Sequence, residues 1–344
     1  MYLRRSQKPR EVKVTNNPIL DTQETVEELT LDQTLRPKHL SEFIGQPRLK
    51  KSLSIAIDAA KKREEPVDHI LLYGPPGLGK TTLAHIIAVE QGGHLHLTTG
   101  PAITRSGDLA ALLTNLENGD VLFVDEIHRL PRAVEETLYS AMEDGRLDLI
   151  LGKGPAARTV SLELKPFTLV GATTRYGALS APIRSRFGII GKLEYYNNND
   201  LSQVISRSAR ILNIAVEDNA TQLLSLRSRG TPRIANRLLR RARDTAELEF
   251  DGNLTVAAVN TTTALLEIDE LGLDASDRDL LTHIIKRHKG GPVGIETLAS
   301  ALSEDIGTIE EVYEPYLIQQ GLLTRTKQGR VVTDLAYKHL GLSK

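Results

Sequence analysis

The 344-residue chain has no cysteine, no tryptophan and only two methionines. Without cysteine it can form no disulfide, no thiolate metal site and no cysteine nucleophile. Aromatic residues make up 4% against 40% hydrophobic residues overall, so its cores are expected to be packed from aliphatic side chains. No apolar run approaches membrane-spanning length. The opening Met1-Tyr2-Leu3-Arg4-Arg5-Ser6-Gln7-Lys8 lacks the apolar stretch of a signal peptide, and a soluble, cytoplasmic protein is expected. Charge of one sign is also lacking: the net charge is −1, so any nucleic-acid contact must come from local patches. The length suits two or three domains.

Against this plain background one segment stands out. Ile70-Leu71-Leu72-Tyr73 is a short apolar strand, followed by Gly74-Pro75-Pro76-Gly77-Leu78-Gly79-Lys80-Thr81-Thr82 and an apolar helix. In G-x-x-x-x-G-K-T the glycines let backbone N–H groups converge on phosphate oxygens. The lysine adds a point charge, and the threonine hydroxyl suits Mg²⁺. The helix that follows aims its positive end at the same anion. Strand before and helix after make this a nucleotide site.

The rest divides by pattern. Residues 1 to about 30 are polar without periodicity and read as a disordered lead-in. From 35 to about 196, strands expected at Ile70–Tyr73, His94–Thr98, Val121–Val124 and Thr168–Ala172 alternate with helices. Such alternation implies a parallel α/β sheet with helices on both faces. Residues 200 to about 265 turn wholly helical, with helices expected at Asp200–Leu212, Asn219–Ser228 and Pro232–Phe250. A third unit follows Asp269 to Leu273: helices Ser276–His288, Ile295–Leu302 and Thr308–Gln319, then a hairpin over 322–333. Thr308 with Glu311 reads as a capping box, and Pro315 must kink or shorten that helix. The shape is that of a winged helix.

Val121 to Val124 ends in Asp125 and Glu126, about 45 residues beyond Lys80. A buried parallel strand delivers such acids beside the phosphate loop. Asp125 then suits Mg²⁺, and Glu126 suits activation of the attacking water. His128 reads as surface or packing. Thr173 or Thr174, at the end of the next strand, is placed to sense a γ-phosphate. Arg184 and Arg186 are either arginine fingers for a neighbour's nucleotide or solvated and salt-bridged. Thr231 reads as an N-cap with Pro232 at N1, which puts Arg233 in the first helical turn against the dipole, as if answering a phosphate. Arg237, Arg240, Arg241 and Arg243 read as a solvated face. The stretch 145–164 holds two apolar strands around Gly152-Lys153-Gly154-Pro155, either an exposed partner patch or a buried extra strand. Arg325, Lys327 and Arg330 surround a narrow turn, suited to duplex phosphates or to a protein partner.

These motifs together resemble the AAA+ ATPases and, within them, the RuvB family of Holliday-junction branch-migration motors. The resemblance is carried by Leu35-Arg36-Pro37, Glu42-Phe43-Ile44-Gly45-Gln46, the 71–84 loop, Asp125-Glu126-Ile127-His128-Arg129-Leu130, Gly154 to Arg158, Gly171-Ala172-Thr173-Thr174-Arg175, Arg184 to Gly188 and Gly230 to Arg241. It spans about Leu31 to Leu340. It implies a disordered lead-in (1–30), a large AAA+ ATPase domain (31–198), a small helical lid (199–270) and a winged-helix DNA-binding head (271–344). It implies ATP and Mg²⁺ as cofactors, with Thr81 and Asp125 toward the metal. Nucleotide contacts are implied for Leu35, Arg36, Gly77, Gly79, Lys80, Thr81, Thr82, Arg186, Tyr196 and Arg233, and for Glu143-Asp144-Gly145. Gly145 departs there from the family's usual aromatic residue. Lys80, Asp125, Glu126, Thr174, Arg175, Arg186 and Arg233 are implied in catalysis, with one of Arg175, Arg184 and Arg186 acting across a subunit boundary. Arg325 and Arg330, with Lys327 beside them, are implied in DNA contact. The implied partners are duplex DNA and Holliday junctions, a RuvA-type junction-binding protein at the 145–164 hairpin, a junction resolvase, and further copies of the chain in a hexameric ring. A clamp-loader-like switch and a winged-helix regulator are the competing readings.

Overall fold

The computed structural model describes residues 33–151 and 158–344; the 1–30 lead-in and the hairpin tip at 152–155 lie outside them. The central sheet has five parallel strands: β1 (Ile70–Tyr73), β2 (Leu95–Thr99), β3 (Val121–Asp125), β6 (Thr168–Thr173) and β7 (Ile189–Lys192), in the order β2-β3-β6-β1-β7. The four strands expected from sequence are present within a residue or so. The fifth, β7, has the sequence Ile-Ile-Gly-Lys and is too short to show a period. A side chain on its Gly191 would meet Leu49 Cδ1 at 2.6 Å, so the Leu49 side chain would have to shift to admit one.

Successive strand residues face opposite layers. Ile70 and Leu72 join the core formed with α1 (Pro47–Arg63) and α2 (Lys80–Gln91), and Leu71 joins the opposite core with α3 (Ser106–Thr114), α4 (Arg132–Asp144) and α5 (Ala181–Ser185). Ile70, Leu71 and Leu72 are fully buried, each contributing about 1.5–3 kcal/mol. The strands β4 (Arg146–Leu151) and β5 (Arg158–Glu163) form a separate antiparallel pair, outside the central sheet. Leu147 at its base is buried, whereas Val160 is exposed. The pair is therefore not an extra strand of the main sheet.

The first core continues without a break into the helical unit: α6 (Asn198–Ile211), α7 (Asp218–Leu226), α8 (Pro232–Glu249) and α9 (Val256–Leu265), with a two-residue parallel pairing of β8 (Ala215–Val216) and β9 (Asn253–Leu254). Helix α9 lies in the stretch expected to be helical, although its apolar residues show almost no one-sided pattern that would set its bounds. Thr231 is the N-cap residue, with Pro232 starting the helix as expected, but its hydroxyl makes no capping bond and donates instead to the Ser228 carbonyl at 3.3 Å.

The last unit has its own core around α10 (Ala275–His288) and α11 (Ile295–Leu302), the hairpin β10 (Leu323–Thr326) and β11 (Gly329–Val332), and a closing helix Asp334–His339. The expected capping box of Thr308 and Glu311 is absent. Ile306–Thr308 is α-helical, Ile309–Tyr313 is a π-turn and Glu314–Gln319 resumes the α-helix. Pro315 has no N–H for the ordinary ladder, and the wider turn placed just before it takes up the disruption. Among the described residues, no helix is long and apolar enough to cross a membrane.

Candidate nucleotide site and nucleic-acid interface

The C-terminal ends of β1, β3 and β6 open on one cleft of about 620 Å³. Its walls include Leu35, Arg36, Gly77, Gly79, Lys80, Thr81, Thr82, Asp125, Glu126, Thr174, Tyr196 and Arg233, so twelve of the residues singled out in the sequence meet at one place. The loop is shaped by glycines with positive φ. Gly79 (φ 100°) would push a side chain against Phe43 at 3.2 Å, and Gly77 (φ 77°) would approach Arg233 Cβ at 3.1 Å.

Lys80 begins α2 and is 8% exposed; its Nζ donates to the Gly74 and Pro75 carbonyls at 2.8 and 2.9 Å. Burial pulls its pKa from 10.5 down to about 8, against the upward pull of Asp125 and Glu126. Glu126 is pushed up by burial and then by Asp125 and Glu311. Its backbone takes the left-handed conformation (φ 49°), which turns the chain sharply after β3.

The two threonines after β6 separate cleanly. Thr174 lines the cleft and its hydroxyl reaches Glu126 Oε2 at 3.3 Å. Thr173 is buried and pairs with His128 Nδ1 at 2.9 Å. His128 in turn lies 3.1 Å from Glu126 Oε2. The histidine is thus packed, as expected, but packed behind the candidate base. Its pKa is lowered by burial, which favours neutral imidazole.

The second unit closes the cleft. Arg233 N–H donates to the Gly77 carbonyl at 3.4 Å, and Tyr196 donates from its hydroxyl to the Leu78 carbonyl at 3.4 Å. Gly45 (φ 77°) makes room for the Tyr196 ring. Phe43, Ile44, Val204, Arg207, Ser208 and Asn236 also line the cleft and were not singled out as site residues in the sequence. Arg207 donates to the Leu35 carbonyl at 2.6 Å and pairs with Glu42 at 3.1 Å, fixing the entry segment over α6. Val204 and Ser208 are one helical turn apart, the one signal that marked this face.

Glu143, Asp144, Gly145, Arg175 and Arg186 do not line this cleft. Arg186 pairs with Glu143 at 2.7 Å and lies over the Tyr139 ring at 4.8 Å. Arg184 lies over Tyr176 at 5.2 Å. Gly145 ends α4 with φ 62°, a conformation natural to glycine, and no atom lies within 4 Å of where its Cβ would be. Arg175 turns toward the last unit and pairs with Glu311 at 2.7 Å.

At the wing, Arg325 and Lys327 are exposed. Arg330 corrects the sequence reading. It is buried, with its guanidinium bonded to Glu314 through Nε and through Nη2 at 3.2 Å, and to Glu310 at 3.4 Å. Its strand is flanked by Val293, which exchanges both backbone hydrogen bonds with it. That second neighbour makes β11 an inner strand, and its arginine turns into the unit toward Glu310 and Glu314.

Models of known families match the chain in three consecutive stretches: the Holliday junction DNA helicase RuvB P-loop domain over residues 35–193, the RuvB AAA lid domain over 196–269 and the RuvB C-terminal winged helix domain over 270–341. Among solved structures, the Thermotoga maritima RuvB Holliday junction branch migration motor is 52% identical, with a TM-score of 0.84, covering 91% of this chain and 100% of that one. A substituted form of the same T. maritima protein also matches at 52% identity and a TM-score of 0.84, covering 90% of this chain and 99% of the other. With the phosphate loop, the paired acids, the closing helical unit and the wing all in place, the chain belongs to the RuvB family of P-loop AAA+ ATPases.

Proposed function

We propose that this chain is the motor subunit of an ATP-driven ring that moves Holliday junctions in recombination and repair. The carrying observation is the single cleft in which Lys80, Asp125, Glu126 and Thr174 meet under Arg233. ATP would sit with its phosphates on the loop amides and Lys80, and its base among Leu35, Arg36 and Tyr196. Thr81 and Asp125 offer a hydroxyl and a carboxylate, hard oxygen donors that suit Mg²⁺. Mg²⁺ would neutralise charge on the phosphates. Glu126 orients and deprotonates the attacking water, with Thr174 beside it. Arg233 lets the lid respond to what the cleft holds.

Arg186, Glu143, Asp144 and Gly145 serve the nucleotide of a neighbouring subunit, in a homohexameric ring. Arg325 and Lys327 contact duplex phosphates. The 145–164 hairpin docks a RuvA-type junction-binding protein, and a junction resolvase acts on the same complex in the cytoplasm. The division into 31–198, 199–270 and 271–344 then corresponds to engine, lid and head. A clamp-loader-type switch would end in a helical collar, whereas residues 270–341 match a winged helix.

Branch migration of a synthetic four-way junction, with ATP and a RuvA-type partner, tests the proposal. ATP-dependent resolution into duplex products is expected with both proteins present. ATP hydrolysis without junction movement would overturn the motor reading.

A further inference from the structure

The contact between the head and the ATPase site is built from two adjacent glutamates on the π-turn. Glu311 Oε1 lies 2.7 Å from Arg175 Nη2, and its other oxygen lies 3.3 Å from the Thr174 hydroxyl. The same hydroxyl stands 3.3 Å from Glu126 Oε2. A hydroxyl has one proton, so the two carboxylates compete for it. Glu310 is shared as well: Arg175 approaches it at 3.6 Å from the ATPase side, while Arg325 at 3.2 Å and Arg330 at 3.4 Å approach it from the wing. One acidic turn therefore joins the γ-phosphate end of the cleft to a cation placed for DNA.

The turn is fixed to the lid. Arg229, 4% exposed, pairs with the fully buried Asp277 of α10 at 2.6 Å, donates to the Val312 carbonyl of the same π-turn at 3.3 Å and lies over the Tyr316 ring at 4.5 Å. Four residues on, Arg233 reaches the nucleotide cleft. Arg233 and the glutamate turn are thereby tied to one segment of the lid.

We propose that Glu310 and Glu311 form an inhibitory latch, in which the head occupies Thr174 and Arg175 until nucleotide and DNA phosphates release it. The proposal rests on the reading of Glu126 and Thr174 as hydrolytic residues and adds residues that hold them back. Glu311 places negative charge where an anionic γ-phosphate must come close, and it withdraws the hydroxyl from Glu126. Duplex phosphates that take Arg325 leave the glutamate turn with more net negative charge, which raises its repulsion of a γ-phosphate in the cleft. The carboxylates and Arg175 are partly exposed, so each contact is worth only a small factor and yields readily.

The absence of cysteine allows clean double labelling. Exposed Ala111 in α3 and exposed Lys338 in the closing head helix take dyes as Ala111→Cys and Lys338→Cys. Energy transfer is read without nucleotide, with ATPγS, and with ATPγS plus linear duplex, alongside ATPase rates with and without duplex. In the wild type, ATPγS and duplex are expected to separate the dyes. The paired change Glu310→Gln and Glu311→Gln is expected to do so without either ligand. It should raise ATPase without DNA by about two- to tenfold, the range expected for one or two partly exposed ion pairs, and shrink the stimulation by duplex. High salt should imitate the variant in the wild type. An unchanged or lowered DNA-free rate in the variant, or dyes that do not move in the wild type, overturns the latch. The dye response to ATPγS is read independently of DNA and remains a test if the motor reading fails.

Discussion

Arg186 and Glu143 hold each other at 2.7 Å on a surface that does not border their own chain's nucleotide cleft. In the proposed ring, an arginine so placed would serve a phosphate across a subunit boundary. Arg186→Ala and Lys80→Ala subunits should each be inactive alone, one lacking the trans arginine and the other the phosphate lysine. Mixed in equal amounts they should recover ATPase activity, because some interfaces combine an intact cleft with an intact Arg186. No recovery in rings shown by size to be mixed would mean that Arg186 acts elsewhere.

Lys80 gives a pH signature. Burial lowers its pKa to about 8, and only the ammonium form attracts phosphate. Nucleotide affinity should fall as pH rises through 8, by up to about tenfold per unit. Lys80→Arg keeps its charge and should give a flatter profile. For folding the sign is opposite. The folded chain gives up this proton before the unfolded one, so from about 8 to 10.5 the group contributes increasing stability with rising pH. Titration of a fluorescent ADP analogue from pH 7 to 9.5 separates the two variants.

Glu126→Gln keeps shape and hydrogen bonding but removes the base. Binding of ATP should survive while turnover falls by about 10²–10⁴-fold, the usual contribution of general base catalysis. Single-turnover hydrolysis of bound ATP is the measurement, and near-normal turnover would remove Glu126 from its role.

The wing arginines should part company. Arg325→Ala should weaken duplex binding and lower the slope of log affinity against log salt by about 1. Arg330→Ala leaves buried Glu314 unpaired and should destabilise the head by about 3–5 kcal/mol. Salt-dependent binding and thermal melting, run on both variants, distinguish a phosphate contact from a packing arginine.

The parts of this molecule legible in its sequence are those in which a local pattern determines the outcome. The phosphate loop needs glycines at fixed positions, and β3 needs an unbroken apolar run before Asp125. Arg330 shows the limit. It is one residue beyond a turn between two basic positions, and only the backbone pairing with Val293, distant in sequence, turns it inward. His128 was legible as packed, but its place behind Glu126 depends on Thr173 from a neighbouring strand. The cleft wall from α6 was hidden because Val204, Arg207 and Ser208 look like any amphipathic helix until the entry segment at Leu35 is laid across it. Strand β7 gave no periodic signal, and within the expected helical stretch packing alone sets the bounds of helix α9.

The buried joint between Arg229 and Asp277 has a mechanical consequence. When stiff bodies are linked in series, the softest joint absorbs most of any applied twist. A paired guanidinium and carboxylate with a ring stacked against them leave little slack between lid and head. A small rotation of the lid would reach the wing almost undiminished, and loosening this joint should cost stroke length and weaken the hold of Glu310 and Glu311 on the ATPase site.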